Sequence, residues 1–129
     1  MKKSIQSALA KYFVISGRAG RPEFWWWHLF YITLLVVLVR LDMRFDALIF
    51  AGVAHLLPVP LATMAALLLA PAHVAVSARR LHDVGCSAWM LTVGLIPLIG
   101  WVVLLWFFCK PSVGAVNRHG RPPEGIPYF

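Results

Sequence analysis

Charge is what this chain has least of. Only five of its 129 residues are acidic, and charged residues make up 13% of the whole, about half the share found in ordinary soluble domains. From Ala47 to Ala78 there is no Lys, Arg, Asp or Glu at all. That lack excludes a conventional soluble core, because one domain of this length cannot hide a chain that is 60% hydrophobic. The bilayer is the alternative solvent, so the composition points to a single integral membrane domain.

Other absences narrow the chemistry. The two cysteines, Cys86 and Cys109, form neither a CxxC pair nor a metal spacing. No GxSxG elbow surrounds Ser77 or Ser87. No Asp or Glu stands inside an apolar run beside His28, His55 or His73, which weighs against an ion-driven transporter. No internal repeat is evident. The N-terminal MKKSIQSALA carries the lysines and small residues of a signal peptide, yet Gln6 and Ser7 interrupt a middle part that is already too short. We expect that segment to be retained. No catalytic set, cofactor or metal is expected.

What is present is a basic, apolar chain of net charge +7. In a soluble protein that excess would suggest nucleic acid. Here the basic residues flank apolar runs, where anionic headgroups and the positive-inside bias account for them, and no nucleic-acid partner is expected.

The runs place the elements. Residues 4–15 repeat apolar side chains at helical spacing (Ile5, Ala8, Leu9, Tyr12) behind Ser4 as N-cap, the pattern of an amphipathic surface helix. Gly17 and Gly20 break it, and Pro22 opens the next helix. Phe24 to Leu41 spans about 27 Å, with Trp25, Trp26 and Trp27 as an interfacial belt. Arg40 to Asp46 reads as a short charged loop. Pro58 and Pro60 divide the uncharged run into an interfacial segment, 47–57, and a second span, 61–78, kinked at Pro71. A third span is expected over 88–109, where Pro97 and Gly100 permit a kink or a re-entrant hairpin. Residues 110–129 form a Gly- and Pro-rich tail expected to be flexible.

The expected fold is therefore all-α: a polytopic membrane protein with an N-terminal amphipathic helix and three transmembrane helices. Lys and Arg then number seven inside and five outside, with the N-terminus in the cytoplasm. Four crossings, with 47–57 as one of them, would give eight and four. Charge favours four and length favours three; we expect three. The two thiols would then face opposite sides.

Several motifs carry a likeness. Gly17-Arg18-Ala19-Gly20-Arg21-Pro22-Glu23-Phe24-Trp25 enters the first span. Arg79-Arg80-Leu81-His82-Asp83 is followed by Gly85, Ser87 and Trp89. Ile96-Pro97-Leu98-Ile99-Gly100 lies within the third apolar run, and Gly114-Ala115-Val116-Asn117-Arg118-His119-Gly120 closes the chain. With these the chain resembles the domain of unknown function 805 family, small bacterial inner-membrane proteins of the YhaH type. That family usually has an aromatic residue where His119 stands, and often a second small or aromatic one beside Trp89. The resemblance implies a multi-pass protein of the bacterial inner (plasma) membrane, and no activity.

The stretch SARRLHDVGC holds the densest charge. His82 and Asp83 are sequence neighbours, about 100° apart on a helix, so they do not make a catalytic dyad by themselves. Read structurally, Arg79 and Arg80 close the second span at its C-terminal end, Asp83 pairs with one arginine, and His82 meets a backbone carbonyl. Read as a site, Arg18, Arg21, Arg79 and Arg80 share one membrane face, and four guanidiniums suit the phosphate of an anionic lipid or solute. Glu23, His82, Asp83, Asn117 and Arg118 would support them. The expected function is a non-enzymatic module that binds anionic lipid or a membrane partner, a second copy included. The alternative is an oligomeric small-solute or ion transporter.

Overall fold

The computed structural model of the chain describes residues 2–50 and 61–123. These residues form four α-helices and one 3-10 helix, with no strand among them. Helix α1 is Lys2–Ala10, α2 is Arg21–Phe50, α3 is Leu61–Asp83 and α4 is Ile99–Cys109. The 3-10 helix, Ala88–Leu95, precedes α4.

Helix α2 starts where Pro22 sits in its first turn and Glu23 meets the positive end of the helix dipole. It does not stop at the charged stretch 40–46, where a loop was expected. Asp42 is instead held in the helix and accepts from the backbone N–H of Leu61 (3.0 Å) and Ala62 (2.9 Å). A carboxylate from α2 thus caps the first turn of α3. Of the expected interfacial segment, residues 51–57 lie outside the described residues, as do His55 and the tail beyond 123.

Helices α2 and α3 pack side by side, and two stretches on them, Arg21–Arg44 and Leu61–Asp83, are long and apolar enough to cross a membrane. Their packing is concentrated at one end. Phe24 and Trp27 of α2 meet Ala72 and Val76 of α3, and the small residues let the helices approach closely. Helix α1 closes the same end through the fully buried Ala8, with Ile5 and Tyr12 against the cluster. Along the rest of α2, Leu29, Ile32, Val36 and Val37 are half exposed or more, a face suited to a non-aqueous surrounding.

Helix α3 runs through Pro71 and five residues past the expected end of the span, to Asp83. A Schellman closure ends it: Gly85, at φ +83°, donates to the His82 carbonyl, and Cys86 donates to the Leu81 carbonyl. The third apolar run is not one helix. Ser87 caps the 3-10 helix, the chain turns at Ile96–Leu98, and Leu98 takes φ +63°. At about 2.0 Å per residue the 3-10 helix covers roughly 16 Å. Helix α4, at about 1.5 Å per residue, covers roughly the same.

The two arms lie against each other. Trp101 Nε1 donates to the Gly94 carbonyl at 3.0 Å, and a Cβ on Gly100 would come within 1.8 Å of the Val93 oxygen. Only glycine permits that approach. The chain leaves α3 at Asp83 and returns beside it, where Val113 N donates to the Asp83 carbonyl at 3.3 Å.

Candidate functional site: an enclosed arginine network

Every residue from Ala75 to Asp83 is buried, including the whole charged motif. Arg79, Arg80 and Asp83 are each at most 1% exposed, and Arg18 is 7% exposed. Charges so enclosed must be paired and hydrogen-bonded or they are prohibitively costly.

Asp83 is the hub. Its Oδ1 accepts from Arg18 Nε at 2.9 Å and forms an ion pair with Nη2 at 2.8 Å. Its other oxygen accepts from Arg80 Nη1. The spacing of Arg80 and Asp83 on one helix face makes the local pair, while Arg18 arrives from the turn before α2. The remaining donors of Arg80 go to backbone oxygens at the end of α4. Nε (3.2 Å) and Nη2 (3.1 Å) reach the Phe108 carbonyl, and Nη2 also reaches the Lys110 carbonyl. Arg18 similarly holds the tail through the carbonyls of Val113, Ala115 (2.9 Å) and Gly120 (3.4 Å).

Arg79 lies on the other side, against α1 and α2. Its Nη1 donates to Glu23 Oε1 at 2.9 Å, which also accepts from Ser7 Oγ at 3.0 Å. Its own carbonyl accepts from Ala19 N at 3.0 Å. Arg79 Nε and Nη2 are buried with no partner among the described residues. Arg21 is partly exposed and close enough to Arg80 for their charges to interact. The four arginines expected to share a face are thus brought together, but Arg18 and Arg80 are engaged internally.

The supporting residues are also there. His82 Nδ1 lies 3.2 Å from the Gly17 carbonyl. Asn117 Nδ2 donates to the His82 carbonyl at 2.9 Å, and Asn117 Oδ1 accepts from His119 N at 2.8 Å. Arg118 reaches the Gly85 carbonyl at 3.4 Å. Asn117 and Gly120 close a two-residue turn, Gly120 at φ +118°. His119 stacks flat on His82, centroids 3.8 Å apart and planes within 5°. Burial first, then His82 and the charges of Arg118 and Arg18, hold the His119 imidazole below its ordinary range. The tail to residue 123, expected to be flexible, is therefore docked over much of its length.

Sequence reasoning did not find Ser7, His119 as a stacking residue, or the carbonyls of Phe108, Lys110, Val113 and Ala115. Backbone oxygens have no sequence signature. The hydroxyl at Ser7 signals a partner only once α1 is known to lie on α2. A second polar cluster sits between the helices: the His28 and His73 rings are 4.5 Å apart, and the Tyr31 ring lies 4.7 Å from that of His73 at a tilt of 37°. Among the described residues no group of three His, Cys, Asp or Glu side chains is placed to hold a metal.

A chain with two apolar helices of membrane-crossing length, clasped at one end by an internal arginine–carboxylate network, defines a small all-helical class. The chain belongs to the family described as protein of unknown function (DUF805), whose model matches residues 12–121. All four motifs that carried the likeness fall within that range. The chain is 33% identical over 125 residues to the inner membrane protein YhaI of Escherichia coli K12, covering 92% of each. It is 34% identical over 116 residues to the inner membrane protein YhaH of the same strain, covering 90% of this chain and 92% of that one. No solved structure matches it.

Proposed function

We propose that this chain is a multi-pass inner-membrane protein of two spans, with 84–109 a re-entrant hairpin and both ends in the cytoplasm. In this reading it is a non-enzymatic module that gathers anionic lipid on its cytoplasmic face. The observation that carries the reading is the return of the chain after α4, with the Phe108 and Lys110 carbonyls on Arg80. Two half-length arms cannot reach across a core of about 30 Å, and irregular backbone at that depth needs protein around it. Three full spans, the expectation from length, would send Lys110 to the far side from Arg80.

Charge supports the same topology. With 84–109 re-entrant, ten of the 12 Lys and Arg residues lie on one side, leaving only Arg40 and Arg44 on the other. That asymmetry is far stronger than either arrangement weighed from sequence alone, and it supports an N-terminus on the inside.

Arg18, Arg79 and Arg80 hold the fold in this reading. Lys2, Lys3, Lys11, Arg21, Lys110, Arg118 and Arg121 ring its cytoplasmic rim, each at least partly exposed. Basic residues near an anionic leaflet contribute about 1 kcal/mol each. The lipid role expected of the four clustered arginines thus passes mainly to this rim, with Arg21 common to both.

A reporter fused after Phe129 tests the topology, with cytoplasmic activity as the expected result. Reconstitution into vesicles with and without anionic lipid tests the rim. Charge reversal at Lys2, Lys3 and Lys11 should weaken anionic-lipid enrichment around the protein, while Arg40→Glu should not. The transporter alternative would have to work through His28, Tyr31 and His73, and no acidic side chain joins them among the described residues.

A further inference from the structure

One cavity on the molecule is unused by the network. It is a groove of about 390 Å³ between α1 and the exposed side of α2, lined by Ile5 and by α2 residues from Trp26 through Thr33 to Val37. Apart from the indole N–H of Trp26, Thr33 carries the one polar side-chain group in that lining. The groove starts beneath α1, at the cytoplasmic end of the reading above, and follows α2 from Trp26 to Val37, eleven residue steps. At about 1.5 Å per residue it is about 17 Å long, close to half of a hydrocarbon core of about 30 Å.

We infer that this groove is a specific site for one anionic phospholipid of the cytoplasmic leaflet, with an acyl chain along α2 and the headgroup at Lys2 and Lys3. Length selects the occupant. A groove one monolayer deep suits an acyl chain, whereas a spanning helix of a second copy would want a face running the full core. Charge agrees with it: Lys2 and Lys3 are exposed in the turn of α1 immediately before Ile5, where an anionic headgroup would lie. Trp26, 39% exposed at the headward end, has the amphipathic ring that favours the boundary between headgroup and chain. The inference rests on the reading that α1 lies at the cytoplasmic interface, and it goes further: a site with fixed stoichiometry replaces a diffuse attraction.

The test is extraction of the full chain from bacterial membranes in mild detergent, with mass spectrometry of the phospholipid retained after washing. A single phospholipid per chain, enriched in anionic classes over the membrane pool, is the expected result. Thr33→Trp fills the middle of the groove and should lower retention about tenfold or more. Val36→Trp adds the same ring on the exposed face outside the groove and should leave retention unchanged. Lys2→Glu with Lys3→Glu should keep a lipid but abolish the anionic enrichment. Circular dichroism confirms that each variant is folded.

Equal retention in Thr33→Trp and the parent overturns the inference, as does equal loss in Val36→Trp. Conversion of a dimer to a monomer by Thr33→Trp overturns it too, by showing a second copy in the groove. A periplasmic reporter signal with lipid retention intact would instead sink the topology on which the cytoplasmic assignment rests.

Discussion

Removing the carboxylate of Asp83 should be the most damaging single side-chain truncation in this molecule. In Asp83→Ala, Arg18 and Arg80 lose their shared counter-ion while remaining 7% and 0% exposed. Their backbone partners cannot neutralise two positive charges. Breaking a buried pair by deleting one partner costs about 3–5 kcal/mol, against about 0–1 kcal/mol for an exposed pair. The closeness of both contacts, 2.8 Å to Arg18 and 2.5 Å to Arg80, places the expected loss in the first range. Asp83→Asn keeps an acceptor oxygen and should fall between the two. The assay is reversible unfolding of the solubilised protein in mixed micelles, followed by far-ultraviolet circular dichroism. Combining Asp83→Ala with Arg18→Leu should cost less than the sum of the two, by about 0.5–3 kcal/mol of coupling. Additive effects, or an Asp83→Ala loss under about 1 kcal/mol, would mean that the site is wet and the network is a surface feature.

Other perturbations separate the parts of the clasp. Arg18→Leu should free residues 113–120 while leaving α2 and α3 paired, seen as faster amide exchange at Val113 and Gly120 with unchanged helix content. The docked His119 resists protonation relative to a free histidine of pKa about 6.5. Protons therefore favour the undocked tail: docking is complete above that value and weakens as pH falls below it. Limited proteolysis of the tail near pH 7.5 and again near about pH 5.5 should show the difference, and His119→Phe should reduce it, leaving only the share of its stacking partner His82. Gly100→Ala drives a Cβ into the Val93 carbonyl and should open the hairpin. Gly17→Ala meets no atom but keeps φ +89°, so only the backbone cost of about 1–2 kcal/mol should appear.

Much of the architecture is legible from residue pattern. The 24–41 and 61–78 runs announce two helices of spanning length, and Ile5 with Ala8 announces α1, although that helix runs Lys2–Ala10, starting before Ser4, the expected N-cap, and ending before Tyr12. Pro97 and Gly100 mark the place where the third run folds back, but proline and glycine alone do not distinguish a kink from a hairpin. What decides is the contact of Arg80 with the Phe108 carbonyl, 28 residues away. The orientation count was ambiguous for the same reason: the side on which Lys110, Arg118 and Arg121 fall depends on that turn.

At the charged motif the local pairings are legible and the enclosure is not: Asp83 pairs with Arg80 and His82 meets a backbone carbonyl, as expected. Arg79 and Arg80 look like a boundary because charge at the end of an apolar run usually meets water or headgroups. Here the turn before α2, the end of α4 and the tail all converge on them. The decisive partners are up to 102 residues away in sequence, and no local periodicity encodes such pairings. The alternating charges at 40–46 suggested a loop, yet Asp42 faces the start of α3 and stabilises both elements at once.

The central claim is that the chain crosses twice and that 84–109 returns to the side it left. Cys86 and Cys109 stand at the two ends of that segment, the first half-buried and the second exposed. Labelling them in intact cells and in inverted membrane vesicles, in single-cysteine variants, with an impermeant maleimide, tests the claim directly. Both thiols should react only in inverted vesicles. A Cys109 that reacts from the outside of intact cells while Cys86 does not would mean a third crossing, and would contradict the account.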